Sequence, residues 1–323
     1  MTEAQQLVAN DAFWRLPEIR AQLDAVIVAA LREDRVAEDI TSHALFGAEP
    51  ATTTRPRAVA IVTAQAAGVL CGIPGAVRVF ELLDAAMEVR ERKPEGALVA
   101  PGERVLVVAG SVTALLGGER TALNWLSHLS GIASQTARWV ALAGDAVTVL
   151  DTRKTLPGWR EFQKYAVRAG GGRNHRMHLA EFAMVKDNHR ELFRVAYPGE
   201  SSTPTDEIAG LLRRLRRHAP GRLIEIEVED EASFRACVSA GVDRVLIDNQ
   251  SPATIAAWVA RAESDSALGL AAQPGWRDRL EASGGITGAN LAAYSRSGVR
   301  RVSLGALTHS VAALDLSLRV EWE

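Results

Sequence analysis

Several residues of this chain stand where they could act together on a charged ligand. Arg153-Lys154 follows a short apolar run ending at Leu150, with Thr152 beside it. His175-Arg176 closes a glycine-rich stretch, and Lys186 follows a second apolar run ending at Val185. Glu227 and Asp248 lie in or just after two more such runs, and Ser283-Gly284 and Gly305 follow the last two. Cations outnumber anions in this set. That suits a ligand with several negative charges, because Arg pairs bidentately with carboxylate or phosphate and Lys supplies a compact point charge. Glu227 and Asp248 could hold Mg²⁺ beside a phosphate, since Mg²⁺ commonly takes one or two carboxylates plus phosphate oxygens. Glycines in Ser283-Gly284-Gly285 and Ser303-Leu304-Gly305-Ala306 let backbone N–H groups approach an anion. Gly170-Gly171-Gly172 is a further turn, but no strand–glycine–helix fingerprint of a dinucleotide fold accompanies it.

These residues keep one phase, and the phase predicts the elements that position them. Short apolar strands are expected at 147–150, 183–185, 223–228, 244–247, 279–282 and 301–304. Helical patterns at 160–168, 206–218, 231–240 and 252–263 fall between them. Such alternation predicts βαβ units and a parallel sheet. In a parallel barrel the carboxyl ends of the strands form one mouth, where active sites sit. The upstream part reads as mixed α and β: an amphipathic helix at 18–34, β-rich runs at 58–63 and 104–109, and helices at 74–89 and 120–143. The pattern changes near Glu119, after the punctuation of Gly117-Gly118. The expected domains are therefore 1–119 and 120–310, with the tail 311–323 packing back on the first.

Composition narrows the class. The chain has 323 residues, 47% apolar and 24% charged, which is ordinary for a globular protein with a sizeable core. Lys plus Arg is 37 against 39 Asp plus Glu, a net charge of −2 that argues against a general nucleic-acid binder. Cys71 and Cys237 are the two cysteines, too few for a disulfide framework or a zinc site, so a reduced, cytoplasmic setting is expected. The first residues lack a signal-peptide pattern, and no apolar run is long enough to span a membrane.

Each residue also has a plainer reading. Arg153 and Lys154 taken alone are ordinary solvated charges at a strand end, and His175 could be a structural histidine bonded to backbone. Glu225, Glu227 and Glu229 share one strand face, so spacing does not choose among them. Asp187 reads as a turn residue, His189 and His309 as structural, and Cys237 as a small buried hydrophobe. The basic stretch 211–218 reads as the solvated face of a barrel helix. Trp125 and Trp139 read as core or interface.

Taken in order, the motifs resemble the quinolinate phosphoribosyltransferase family. They are Glu119-Arg120-Thr121-Ala122-Leu123-Asn124, Asp151-Thr152-Arg153-Lys154-Thr155-Leu156-Pro157-Gly158, Gly170-Gly171-Gly172-Arg173-Asn174-His175-Arg176, Lys186-Asp187-Asn188-His189, Glu225-Ile226-Glu227-Val228, Leu246-Ile247-Asp248-Asn249, Glu281-Ala282-Ser283-Gly284-Gly285-Ile286 and Ser303-Leu304-Gly305-Ala306-Leu307-Thr308-His309-Ser310. The likeness runs from about Glu38 to Leu316.

The resemblance implies an N-terminal α/β sandwich domain and a C-terminal α/β barrel with fewer than eight strands. It also implies a homodimer or higher oligomer in which one subunit's sandwich covers the partner's barrel mouth. The implied reaction joins quinolinate to phosphoribosyl pyrophosphate with Mg²⁺, giving nicotinate mononucleotide, pyrophosphate and CO₂ in NAD biosynthesis. Arg153, His175 and Arg176, with Thr152 nearby, would bind the quinolinate carboxylates, and Arg120 would reach in from the partner. Lys154 and Lys186 would lie near substrate and phosphoribosyl group. Glu227 and Asp248 would face ribose and Mg²⁺, and Ser283, Gly284 and Gly305 would hold the 5′-phosphate. The family's molybdenum-transport-associated branch departs at the Asn-His-Arg and Lys-Asp-Asn segments, which this chain retains as Asn174-His175-Arg176 and Lys186-Asp187-Asn188. A nicotinate-using relative would not need so many cations, and a non-catalytic phosphate binder would be expected to have lost some of them. Trp159 after Pro157-Gly158 departs from the family pattern, and the polar loops 197–206 and 264–276 fall on no motif.

Overall fold

The computed structural model describes residues 12–47 and 56–323. The chain divides into two compact units. One holds the chain up to Arg138 with Thr155–Gly172 and Leu307–Glu323; the other holds Trp139–Lys154 and Arg173–Ala306.

In the first unit an antiparallel sheet has β1 (Arg57–Ala64) at its heart. β1 pairs on one side with β12 (Leu316–Trp322) and on the other with β5 (Arg104–Ser111), and β5 pairs with β3 (Glu88–Arg92). Alternate residues Ala58, Ala60, Val62 and Ala64 of β1 are buried, as the two-residue period of a half-covered strand requires. β2 (Gly68–Val69) and β4 (Leu98–Val99) make a separate two-stranded pair. The helix Pro17–Glu33 buries Ile19, Leu23 and Ile27, a spacing that keeps all three on one face.

Three local expectations change. The helix predicted over 74–89 runs Ile73–Leu83 and gives way to β3, all five of whose residues are exposed; a polar edge strand leaves no apolar alternation to read. The helix predicted from 120 begins at Val112 and continues to Ala143 through Gly117-Gly118. Those glycines mark close packing rather than a break: a Cβ on Gly117 would lie 2.6 Å from Val36 Cγ1. The helix Arg160–Ala169, read as a barrel helix, belongs to the first unit, where Phe162 and Tyr165 pack on Trp14 at ring separations of 5.9 and 4.8 Å.

The second unit is a six-stranded parallel sheet in the order β6-β11-β10-β9-β8-β7. The strands are β6 (Thr148–Leu150), β7 (Ala183–Val185), β8 (Ile224–Val228), β9 (Arg244–Asp248), β10 (Leu280–Ser283) and β11 (Arg301–Ser303). All six lie within about a residue of the predicted runs. No pairing joins β6 to β7, so the sheet is an incomplete barrel. Among the described residues no helix is long and apolar enough to cross a membrane.

Candidate active site

Pairing register gathers the strand ends into one mouth. Leu150 sits level with Ser303, Ser283 with Asp248, and Glu227 with Leu246. Thr152, Arg153, Lys154, His175, Arg176, Met184, Lys186, Glu227, Leu246, Asp248, Ser283 and Ser303 line a cavity of about 310 Å³ there. The structure thus assembles most of the residues singled out from sequence. Gly284 and Gly305 follow two of the lining strands without lining the cavity themselves. Gly284 has φ +81°, and a Cβ there would lie 2.1 Å from Asn249 Oδ1, so only glycine fits this turn without displacing its neighbour. Arg120 is not among the lining residues. It belongs to the first unit, is 64% exposed, and borders a separate cavity of about 340 Å³ with Glu33, Asp34 and Trp159.

The cationic side of the mouth is built on Asp151, which sequence reading left as a motif letter. Its fully buried carboxylate accepts the His175 N–H at 2.8 Å and the Asn174 Nδ2–H at 2.5 Å. The backbone of Arg173 also bonds across to Val149 and Asp151, so the turn ending at Arg176 is zipped to the edge of β6. Arg176 donates from Nη1 to Phe182 O at 3.1 Å and lies over the Phe182 ring. Burial, and then the neighbouring Arg153, push its guanidinium below the usual range. Arg153 Nε is buried with no hydrogen-bond partner among the described residues. Two guanidinium groups that repel one another, one with an orphaned N–H, form a site that an anion would complete.

The opposite side carries acids. Lys186 Nζ donates to Glu227 Oε2 at 2.6 Å, and Glu227 is largely buried while Lys186 is half exposed. Burial, and then Glu227, raise the Asp248 carboxyl above its ordinary range. Asp248 and Glu227 line one cavity, and a divalent cation between them would relieve both the burial and the repulsion that raise Asp248, so the donor set fits Mg²⁺ bound together with phosphate.

Below the mouth lie two acids that spacing alone did not single out. Every residue of β8 is buried, so Glu225 and Glu227 both point into protein. Glu225 Oε2 lies 3.1 Å from His175 Nε2, and Glu281 Oε1 lies 3.6 Å from the same nitrogen. Both glutamates have no solvent exposure. Burial and the facing Glu225 push the Glu281 carboxyl up to about 7, against an opposing pull from His175. The folded state therefore keeps a proton that the unfolded chain loses near 4.5. From that pH up to about 7 the unfolded state binds fewer protons, so stability falls as pH rises. Glu281→Gln is expected to remove this penalty, up to roughly 3 kcal/mol, with its largest gain above pH 7 and little at pH 4. Denaturant melts of both proteins across that range check it.

Strand order, strand-end chemistry and the Arg153–Arg176 pair define an anion-binding site at the mouth of an incomplete barrel. The family description "Quinolinate phosphoribosyl transferase, C-terminal domain" matches residues 132–319, and its N-terminal counterpart matches 39–130. The chain belongs to the quinolinate phosphoribosyl transferase family. It is 35% identical over 301 residues to a probable nicotinate-nucleotide pyrophosphorylase (carboxylating) of Bacillus subtilis, covering 93% of each chain. It superposes on the crystal structure of NadC from Streptococcus pyogenes with a TM-score of 0.78 at 37% identity, covering 94% of this chain and 97% of the other. A putative pyrophosphorylase ModD of Rhodobacter capsulatus is 35% identical over 280 residues, covering 86% of this chain and 97% of its own.

Proposed function

We infer that the protein transfers the phosphoribosyl group of phosphoribosyl pyrophosphate to quinolinate with loss of CO₂, forming nicotinate mononucleotide and pyrophosphate. The observation that carries this reading is the Arg153–Arg176 pair beside Lys154 and Lys186, which matches a dianion plus a phosphorylated sugar. The identity to the ModD relative equals that to the Bacillus relative, so overall identity does not separate the two branches. The intact Asn174-His175-Arg176 and Lys186-Asp187-Asn188 segments favour the quinolinate reaction.

The two guanidiniums hold the carboxylates and fix the ring. The ring nitrogen then attacks the anomeric carbon as its bond to pyrophosphate breaks. Glu227 and Asp248 stabilise positive charge developing on the sugar, and Lys154 and Lys186 stabilise charge on the leaving group and phosphates. Once the nitrogen is quaternary, the bond from C2 to its carboxylate breaks. Its electron pair stays on C2 beside the ring cation, C2 takes a proton, and CO₂ leaves. Holding both substrates supplies much of the acceleration. Glu227 and Asp248 would hold Mg²⁺, which would neutralise pyrophosphate when bound. Ser283 and the Gly284 and Gly305 turns would receive the 5′-phosphate.

Purified protein supplied with phosphoribosyl pyrophosphate, Mg²⁺ and either quinolinate or nicotinate tests this reading. Nicotinate mononucleotide forming from quinolinate only is the expected result; turnover of neither acid would overturn it.

Arg120 enters the reading as a residue given to a second copy of the chain in a cytoplasmic homodimer. Its exposure and its absence from the cavity lining support that role. Arg120→Ala and Lys154→Ala should each be inactive. Mixed with subunit exchange they should recover about one quarter of wild-type activity, because half the dimers are mixed and each has one intact site of two. No recovery despite demonstrated exchange contradicts the shared site.

A further inference from the structure

The buried His175–Glu225–Glu281 cluster has no role in the steps above. The ligand atoms of the three side chains lie within 4.8 Å of one another, close enough to surround a cation. The ring's hydrogen bonds argue for a different use. His175 Nδ1 accepts the Arg176 backbone N–H at 2.9 Å, so in the neutral ring the proton sits on Nε2. Nε2 meets its hydrogen-bond acceptor in Glu225 Oε1 at 3.4 Å, with Glu281 Oε1 3.6 Å away and not bonded to it. A protonated Nε2 is not a metal ligand. Arg244 and Arg301 also act on the Glu281 carboxylate through space, so positive charge reaches the acids without an added ion.

We propose that His175 is a positioning residue held in the Nε2–H form by Glu225, and that it serves quinolinate binding by fixing Arg176 rather than by touching the substrate itself. The chain of contacts is continuous. Asp151 holds the His175 backbone, the His175 ring holds the Arg176 backbone, and Arg176 is tied by its guanidinium to Phe182 O. Glu225 anchors the far edge of the ring from strand β8, an interior strand of the sheet. The assignment to quinolinate binding rests on the function proposed above; the ring state does not.

Two measurements separate these parts. Nitrogen NMR on ¹⁵N-histidine-labelled wild-type protein near neutral pH reads the tautomer directly, the His175 ring being assigned through its neighbour Phe182 at 5.3 Å. The expected pattern is protonated Nε2 and bare Nδ1, unchanged when quinolinate alone is added to saturation. A proton on Nδ1, with or without quinolinate, overturns the proposal, and this holds whether or not the protein turns quinolinate over. The second measurement compares His175→Asn with His175→Ala. The Asn Oδ1 can take the Arg176 N–H in place of Nδ1. His175→Asn is expected to keep the quinolinate KM within about 3-fold of wild type and His175→Ala to raise it more than about 10-fold, the difference of one buried hydrogen bond. Equal rises in both variants would show that the lost group is the one facing substrate, and would overturn it.

Discussion

Lys186→Ala is expected to lower kcat/KM by roughly 10²- to 10³-fold, the scale of removing one preorganised electrostatic group from a transition state. Lys186 is the hydrogen-bonded cation on Glu227, at 2.6 Å. Its loss does two things at once. It removes positive charge from the acid-lined side of the cavity, and it leaves a largely buried carboxylate without its ion partner. Asp248, already raised by burial and then by Glu227, would then share the mouth with an uncompensated neighbour. Lys186→Arg should restore charge without the compact geometry and recover only part of the rate. Steady-state kinetics with both substrates varied check this. A kcat/KM within a few-fold of wild type would remove Lys186 from the reaction.

The second large effect belongs to Arg153. Its buried Nε has no hydrogen-bond partner among the described residues, and its charge destabilises that of Arg176. Both features are costs that a bound carboxylate would reverse. Arg153→Ala is expected to raise the quinolinate KM by about 100-fold, the loss of two charge-assisted hydrogen bonds worth about 1.5 kcal/mol each. The KM for phosphoribosyl pyrophosphate should move far less. Arg153→Lys should recover part of the binding, because it restores a charge but not the planar fork. An unchanged quinolinate KM, or a rise confined to phosphoribosyl pyrophosphate, would reassign Arg153 to the sugar phosphate.

Much of the barrel was legible because its strands are buried on both faces and read as short apolar runs. Their carboxyl ends then named the site, and Arg153, Lys186, Glu227 and Asp248 do meet in one cavity. The first unit was harder. β3 is exposed throughout and carries no apolar alternation, so its start reads as the end of a helix over 74–89, and Gly117-Gly118 looks like a break although it lies inside the helix Val112–Ala143. The strand Leu316–Trp322 finds its partner β1 more than 250 residues upstream, a pairing that no local pattern reports. The helix Arg160–Ala169 follows β6 in sequence and yet packs on Trp14 through Phe162 and Tyr165, a contact that strand–helix alternation does not report.

The residues that were passed over support the site from behind. Asp151 makes its bonds to the backbone and side chain of a turn more than 20 residues away. Glu225 differs from Glu227 only by lying one alternation deeper, and Glu281 is an ordinary letter in a short run. One signal was available: an acid inside a strand that is buried on both faces needs a partner, and His175 supplies part of it.

The most direct test of the account follows the carboxyl carbon. Quinolinate labelled with ¹³C in the carboxylate beside the ring nitrogen is incubated with the protein, phosphoribosyl pyrophosphate and Mg²⁺. The account predicts that labelled CO₂ and unlabelled nicotinate mononucleotide appear together in equal amounts, with none formed when phosphoribosyl pyrophosphate is left out. Label retained in a nucleotide product, or CO₂ released without phosphoribosyl pyrophosphate, would contradict it.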